Sequence, residues 1–105
     1  IMEKQNFEQL YKKLEEEKSE ATFKDLEIHQ KRRAIVLVSE TLDIVKVGTH
    51  IALDDKAIIQ NWLEQKLIQN LEDNEFEKLK SMDNKMVSFI IIQPFVLIQL
   101  YSTKH

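Results

Sequence analysis

The residues with the most evident potential for chemistry are one histidine and two aspartates. His50 lies four residues before Asp54, and Asp55 follows directly. Imidazole nitrogens and carboxylate oxygens both bind divalent metals, so these three side chains are a candidate metal site. The competing interpretation is that the aspartates cap a helix and the histidine lies on its solvated surface. Because no second group of ligands has matching spacing, we favour this interpretation and predict no cofactor.

A second candidate is the basic cluster Lys31-Arg32-Arg33, which Lys24 and His29 precede. Such cations can contact the phosphates of a nucleic acid. They also stabilise the C-terminus of a helix, where its dipole is negative. The formal net charge of the chain is −3, which argues against a general polyanion binder. Nucleic-acid binding through Lys24, Lys31, Arg32 and Arg33 is therefore an alternative, and capping of a helix is favoured.

Other chemistry finds little support in the composition. The chain has no cysteine, which excludes disulfides and thiolate catalysis and fits a reducing cytoplasm. Its single glycine, Gly48, excludes the glycine-rich loops that bind phosphates and dinucleotides. No serine lies in a glycine-flanked turn of the kind that serves nucleophilic catalysis. We assign no catalytic residue, and the sequence argues against an enzyme.

The element that the rest of the chain has to cover is the segment 86–101. Twelve of its sixteen residues are apolar, and many are β-branched or aromatic. It is too short for a membrane helix, and Pro94 interrupts it. We predict strands at about 86–93 and 95–101, buried on both faces. Ala34–Val38, a short apolar run, is predicted to be their partner strand.

Most of the remaining chain has helical spacing of apolar residues. In segment 42–53 a helix separates the charged from the apolar residues better than a strand does, so we choose the helix. Residues 67–71 are predicted to be an extended link. The predicted helices cover residues 3–17 and 19–31 (or one bent helix), 40–53, 55–66 and, more weakly, 72–82.

These elements predict an α+β fold in a single small domain over residues 1–105. Helices would pack over a short mixed β-sheet built from the 34–38 strand and the C-terminal strands. Ile1 precedes Met2 and is interpreted as an added residue, and the charged start shows no signal peptide. Three strands are few for so apolar a segment. We therefore expect a second copy to complete the sheet across a two-fold axis.

Several stretches from about Leu14 onward resemble a small bacterial family, catalogued as domain of unknown function 2288. Arg33 departs from the family, which usually has glycine before its first strand, and His50 replaces a small or apolar residue. The family has no assigned activity, so the resemblance implies a fold and no function. The marks of the resemblance are Leu42-Asp43, Val45, Val47, Asp54-Asp55, Trp62-Leu63 and the ending QPFVLIQ at 93–99.

The sequence thus predicts an uncharacterised bacterial protein of the cytoplasm. Its favoured function is a non-enzymatic interaction or regulatory module that self-associates as a dimer and contacts an unknown protein partner. Weak nucleic-acid binding through the basic cluster is the alternative, and a metal-dependent enzyme using His50, Asp54 and Asp55 is the third hypothesis. No membrane association is expected.

Overall fold

The computed structural model describes residues 6–82 and 85–100, which form five helices and a five-stranded sheet. The strand order is β1-β4-β5-β2-β3; β2 and β5 run parallel, and the other neighbours are antiparallel. The predicted α+β fold with a mixed sheet is confirmed. In chain order the elements are α1 (Phe7–Glu17), β1 (Ser19–Thr22), α2 (Glu27–Lys31), β2 (Ile35–Val38), α3 (Ile44–Ala52), α4 (Lys56–Glu64), β3 (Ile68–Asn70), α5 (Asp73–Ser81), β4 (Met86–Ile92) and β5 (Phe95–Leu100).

The C-terminal strands β4 and β5 lie at the centre of the sheet, and both of their faces are buried. Ile90 and Leu97 point to the face that α1, α3 and α4 cover. Val87, Val96 and Ile98 point to the opposite face, where Phe76 of α5 packs. Alternate side chains along each strand thus enter two separate cores, because successive residues of a strand face opposite sides. The prediction that this segment is buried on both faces is confirmed for the middle of both strands, whereas Met86, Ile91, Phe95 and Leu100 are exposed.

A polar side chain within β5 fixes the loop that leads into α3. The Gln99 amide nitrogen donates hydrogen bonds to the carbonyl oxygens of Ser39 (2.9 Å) and Leu42 (2.7 Å). Asp43 then caps α3, because its carboxylate accepts a hydrogen bond of 3.0 Å from the Val45 amide. The choice of a helix for this segment is confirmed, although it begins at Ile44 and not at residue 40.

The predicted helix over residues 19–31 is largely wrong. Ser19–Thr22 form β1, in which Ala21 lies opposite Val87 of β4. Only Glu27–Lys31 is helical in this segment, and α1 has ended at Glu17. The alternative of one bent helix is wrong for the same reason. Pairing with an exposed strand edge overrides the weak local preference for a helix here.

The sheet is completed within one chain, because two strands that the sequence analysis did not identify cover its edges. β1 pairs with β4, and β3 pairs with β2 in the segment that was predicted to be an extended link. A second copy of the chain is therefore not needed to supply missing strands. The dimer itself stays a prediction.

The other predicted elements agree with the structure to within a few residues. The helices predicted at 55–66 and 72–82 are α4 and α5. Trp62 in α4 is buried, whereas its neighbour Leu63 is 44% exposed. Residues 3–5 and Tyr101, which were predicted to extend α1 and β5, lie outside the described residues. No helix within the described part of the chain is long and apolar enough to cross a membrane.

Candidate functional site

An apolar groove lies between α4 and the sheet, with a volume of about 440 Å³. Val36, Ile68 and Phe95 lie on the same face of three neighbouring strands and form its floor. Ile59 and Leu63, four residues apart on α4, form one wall. The rest of the lining comes from Ile51 and from the polar residues Asp54, Lys56, Gln60 and Asn70.

The groove stays open because α4 ends early. Lys66 follows the helix with a φ of 60°, and the Leu67 amide donates back to the Trp62 carbonyl oxygen. This is a helix C-cap of the left-handed type, which turns the chain directly into β3. As a result Leu63 and Phe95 face the groove with 44% and 39% of their surface exposed.

The groove borders the outer edge of the sheet at β3. The Ser39 amide donates to the Leu67 carbonyl oxygen, and the Leu71 amide donates to that of Ile35. Because the hydrogen-bonding direction alternates along a strand, the backbone groups of Ile68 and Asn70 point away from β2. This edge therefore offers a short set of main-chain donors and acceptors beside an apolar surface.

The structure brings together two of the three candidate metal ligands. His50 Nδ1 lies 2.7 Å from Asp55 Oδ2, whereas Asp54 Oδ2 lies 2.7 Å from the ammonium of Lys56. Asp55 occupies the N-cap position of α4, yet its carboxylate binds His50 and makes no capping hydrogen bond. Residues 6–82 and 85–100 contain no group of three His, Cys, Asp or Glu side chains arranged to hold a metal ion. Metal binding by His50, Asp54 and Asp55 stays the third hypothesis, behind the favoured interpretation without a metal.

The imidazole of His50 is held from two further sides. Its centroid is 4.9 Å from that of Phe7 on α1 and 5.5 Å from that of Trp62 on α4. The side chain retains only 16% exposure. His50 therefore joins three helices through aromatic contacts, which is a structural role that its position in the sequence did not reveal.

The basic cluster at the end of α2 is partly neutralised. Arg32 lies 2.7 Å from His29 Nδ1, and Arg33 lies 3.3 Å from the Asp73 carboxylate. Lys24 and Lys31 are exposed and flank Glu27, whose pKa they help to lower. The structure thus places the four predicted cations on and around α2, with the two arginines occupied by neighbours.

Glu27 connects α2 to α5 through an ion pair. Its carboxylate lies 2.6 Å from the ammonium of Lys80. The hydrogen bond from Lys80 lowers the pKa of Glu27, and the same hydrogen bond raises the pKa of Lys80. The pair holds both groups in their charged forms.

The groove was not predicted from the sequence. Nothing in the local pattern distinguishes Leu63 or Phe95 from a buried residue. The groove combines α3, α4, β2, β3 and β5, so it exists only once these elements are assembled. The one available signal was that Leu63, an apolar residue, directly follows the apolar Trp62 near the end of a short helix.

Comparison with known proteins identifies the family and the fold. No curated protein matches the chain. The NMR solution structure of PA1075 from Pseudomonas aeruginosa is similar over 100% of this chain and 95% of its own, with a TM-score of 0.78 and 25% sequence identity. The family model described as a protein of unknown function (DUF2288) matches residues 9–100. The chain therefore belongs to the DUF2288 family, as the resemblance of its sequence indicated.

Proposed function

We propose that this protein is a non-enzymatic interaction module that self-associates through the groove between α4 and the sheet. The observation that carries the proposal is the exposure of Leu63 and Phe95 side by side with an apolar lining. Apolar surface exposed in a concave site gains free energy when another surface covers it, at about 25 cal/mol per Å². We also propose a cytoplasmic location, which the absence of cysteine supports.

A second copy of the chain is an appropriate occupant for three reasons. A two-fold dimer brings the same surface of both copies together, and the main-chain groups of Ile68 and Asn70 are available for antiparallel pairing of the two β3 edges. This pairing places the two grooves next to each other. The rim charges Asp54 and Lys56 neutralise each other at 2.7 Å within each copy, so two rims that meet bring no net like charge together.

Measurement of molar mass as a function of concentration tests the proposal. Between about 10 μM and about 1 mM, the range in which a modest interface dissociates, we expect the wild type to shift from monomer to dimer. Leu63→Lys should remain monomeric, because the lysine charge would be buried at the interface. The matched control is Ile28→Lys: Ile28 is 65% exposed on α2, on the opposite face of the sheet.

Two results would contradict the proposal. One is a wild type that stays monomeric throughout the concentration range. The other is a dimer that Ile28→Lys weakens as much as Leu63→Lys, which would place the contact elsewhere. Circular dichroism of both variants confirms that each is folded.

A further inference from the structure

The exposed side of α2 carries an apolar residue with cations around it. Ile28 is 65% exposed, the largest exposed fraction among the large apolar residues that the structure describes. Lys31 and Arg32 follow it by three and four residues and are its neighbours on the helix surface. Lys24 lies in the turn that leads into α2, where its carbonyl oxygen accepts a hydrogen bond from the Glu27 amide. We refer to Lys24, Ile28, Lys31 and Arg32 as the α2 patch.

The exposure of Ile28 is a consequence of how α2 packs. Leu26 and Gln30, on either side of it in the sequence, are buried at 2% and 5% exposure, so Ile28 faces away from the core. A single exposed apolar residue is common on protein surfaces and by itself indicates nothing. The cations around Ile28 are the second observation, because together they define what surface the patch complements.

The cations of the α2 patch keep their charge. Within residues 6–82 and 85–100, Lys24, Lys31 and Arg32 form no ion pair with a carboxylate. Arg32 donates to the imidazole of His29 at 2.7 Å, which leaves its positive charge uncompensated.

Two carboxylates lie near the patch, and both have other partners. Glu27 is paired with the ammonium of Lys80 at 2.6 Å, and Asp25 accepts a hydrogen bond of 3.2 Å from the Thr22 amide. Residues 23–33 contain four Lys and Arg against two Asp and Glu, whereas the rest of the chain contains eleven against sixteen. The patch is therefore the centre of a positive segment in an acidic protein.

The neighbouring helix α5 limits the size of the partner. It lies beside α2, since Asp73 is 3.3 Å from Arg33. Its exposed carboxylates include Glu75 and Glu77. A membrane surface or a DNA duplex is broad enough to bring its phosphates against these carboxylates as well, which opposes binding. A short acidic peptide contacts α2 alone.

We propose that the α2 patch binds a short acidic segment of another protein. An apolar side chain of this segment packs on Ile28, and carboxylates on either side of it pair with Lys24, Lys31 and Arg32. The contact is additional to self-association, because α2 and α4 pack on opposite faces of the sheet and both surfaces are open at the same time.

An array of short synthetic peptides tests the proposal. One set combines Asp and Glu with Leu, Ile or Phe; a second set has Ser in place of the apolar residues, and a third has Lys in place of the acidic ones. We expect the wild type to bind peptides of the first set, with a Kd measured by fluorescence anisotropy. The Kd should rise between about 0.1 M and about 1 M NaCl, because the screening distance falls from about 10 Å to about 3 Å.

Lys31→Glu should raise the Kd of the tightest peptide at least about tenfold, since it replaces attraction of a carboxylate with repulsion. The matched control is Lys46→Glu, which makes the same change of charge at an exposed position of α3, on the other side of the sheet. This control should bind the peptide like the wild type.

Ile28→Ser should also raise the Kd about tenfold, because the apolar side chain of the peptide loses the surface that it covers. Leu63→Ser is its control: it removes an exposed apolar residue from the groove beside α4 and should leave the Kd unchanged. Because Leu63→Ser affects self-association only, the two contacts can fail or succeed independently. Circular dichroism confirms that each variant is folded.

Four results would overturn the proposal. In the first, no acidic apolar peptide binds. In the second, the peptides with Ser in place of the apolar residues bind equally well. In the third, Lys31→Glu or Ile28→Ser binds unchanged. In the fourth, duplex DNA or vesicles containing phosphatidylserine bind more tightly than any peptide and lose this binding on Lys31→Glu.

Discussion

The hydroxyl of Tyr11 donates a hydrogen bond of 2.5 Å to Asp43 Oδ2, which connects α1 to the first turn of α3. The other oxygen of the same carboxylate accepts from the Val45 amide and caps the helix. Asp43 therefore has two functions at once: it satisfies an amide at the start of α3 and holds α1 against it.

Tyr11→Phe should lower the free energy of unfolding by about 1–2 kcal/mol, since it removes a hydrogen bond to a charged acceptor and keeps the ring. Urea denaturation at pH 7 measures the change. Equal stability of the variant and the wild type would show that the hydrogen bond contributes nothing.

The same hydrogen bond makes the stability depend on alkaline pH. The hydrogen bond to Asp43, with smaller effects of burial and of nearby negative charge, raises the pKa of Tyr11 to about 12. The unfolded chain loses this proton near pH 10, so the contribution is complete below pH 10 and is lost as the pH rises towards 12. Denaturation curves should therefore converge for Tyr11→Phe and the wild type at high pH; a constant difference would contradict the pKa.

Three helices end with a non-glycine residue in the left-handed conformation: Arg33 (φ 56°), Asp54 (φ 58°) and Lys66 (φ 60°). Glycine adopts this conformation without the steric cost of a Cβ atom. Lys66→Gly should raise the free energy of unfolding by about 0.5–1 kcal/mol, measured by urea denaturation. Lys66→Ala is the control, since it removes the charge but keeps the Cβ, and should bring no gain.

Arg33→Gly should raise the free energy of unfolding by less than Lys66→Gly does. It also removes the exposed ion pair between Arg33 and Asp73, which is worth about 0–1 kcal/mol. The positive φ of Arg33 is a conformation that favours glycine, which is the residue that the resemblance to the family implies at this position.

The pair of Glu27 and Lys80 should be visible in an acid titration. The hydrogen bond from Lys80 lowers the pKa of Glu27 below its ordinary value of 4.5. Its stabilising effect is therefore present above this value and is lost as the pH falls through the lowered pKa. NMR titration of the Glu27 side-chain carboxyl should show the low pKa in the wild type and its return towards 4.5 in Lys80→Met. Lys78→Met, on the same helix, should leave it unchanged.

Gly48 packs α3 against α1 and the sheet. A Cβ atom at this position would lie 3.4 Å from Ile92 Cδ1 and 3.5 Å from the Cδ1 atoms of Leu14 and Leu97. These are ordinary contacts, so Gly48→Ala should be tolerated and should raise the free energy of unfolding by up to about 1 kcal/mol. Gly48→Leu adds further atoms to a filled space and should lower it by about 1–3 kcal/mol. A loss of stability on Gly48→Ala, measured by thermal unfolding, would contradict this account.

Some elements could be identified from the local sequence alone, because their composition reflects their surroundings. The β-branched residues of Met86–Ile92 and Phe95–Leu100 identified strands buried on both faces, because an exposed strand is less apolar and the segment is too short for a membrane helix. The separation of charged from apolar residues identified α3 as a helix. In both cases the signal is local, because the spacing of apolar and polar residues along a helix or strand indicates which of its sides is exposed to water.

Which segments and side chains contact one another, in contrast, depends on the folded structure. Ser19–Thr22 became a strand because β4, about seventy residues later, offers it an edge, and no local pattern encodes such a pairing. The carboxylate of Asp55 contacts His50 and does not cap its own helix. Leu63 lines a groove because the chain turns from the end of α4 into β3 within a few residues. The buried amide nitrogen of Gln30 likewise donates to Leu71 and Asp73, which lie 41 and 43 residues further along the chain. Hydrogen-bond satisfaction and exposure are properties of assembled neighbours, and these arise only when distant segments meet.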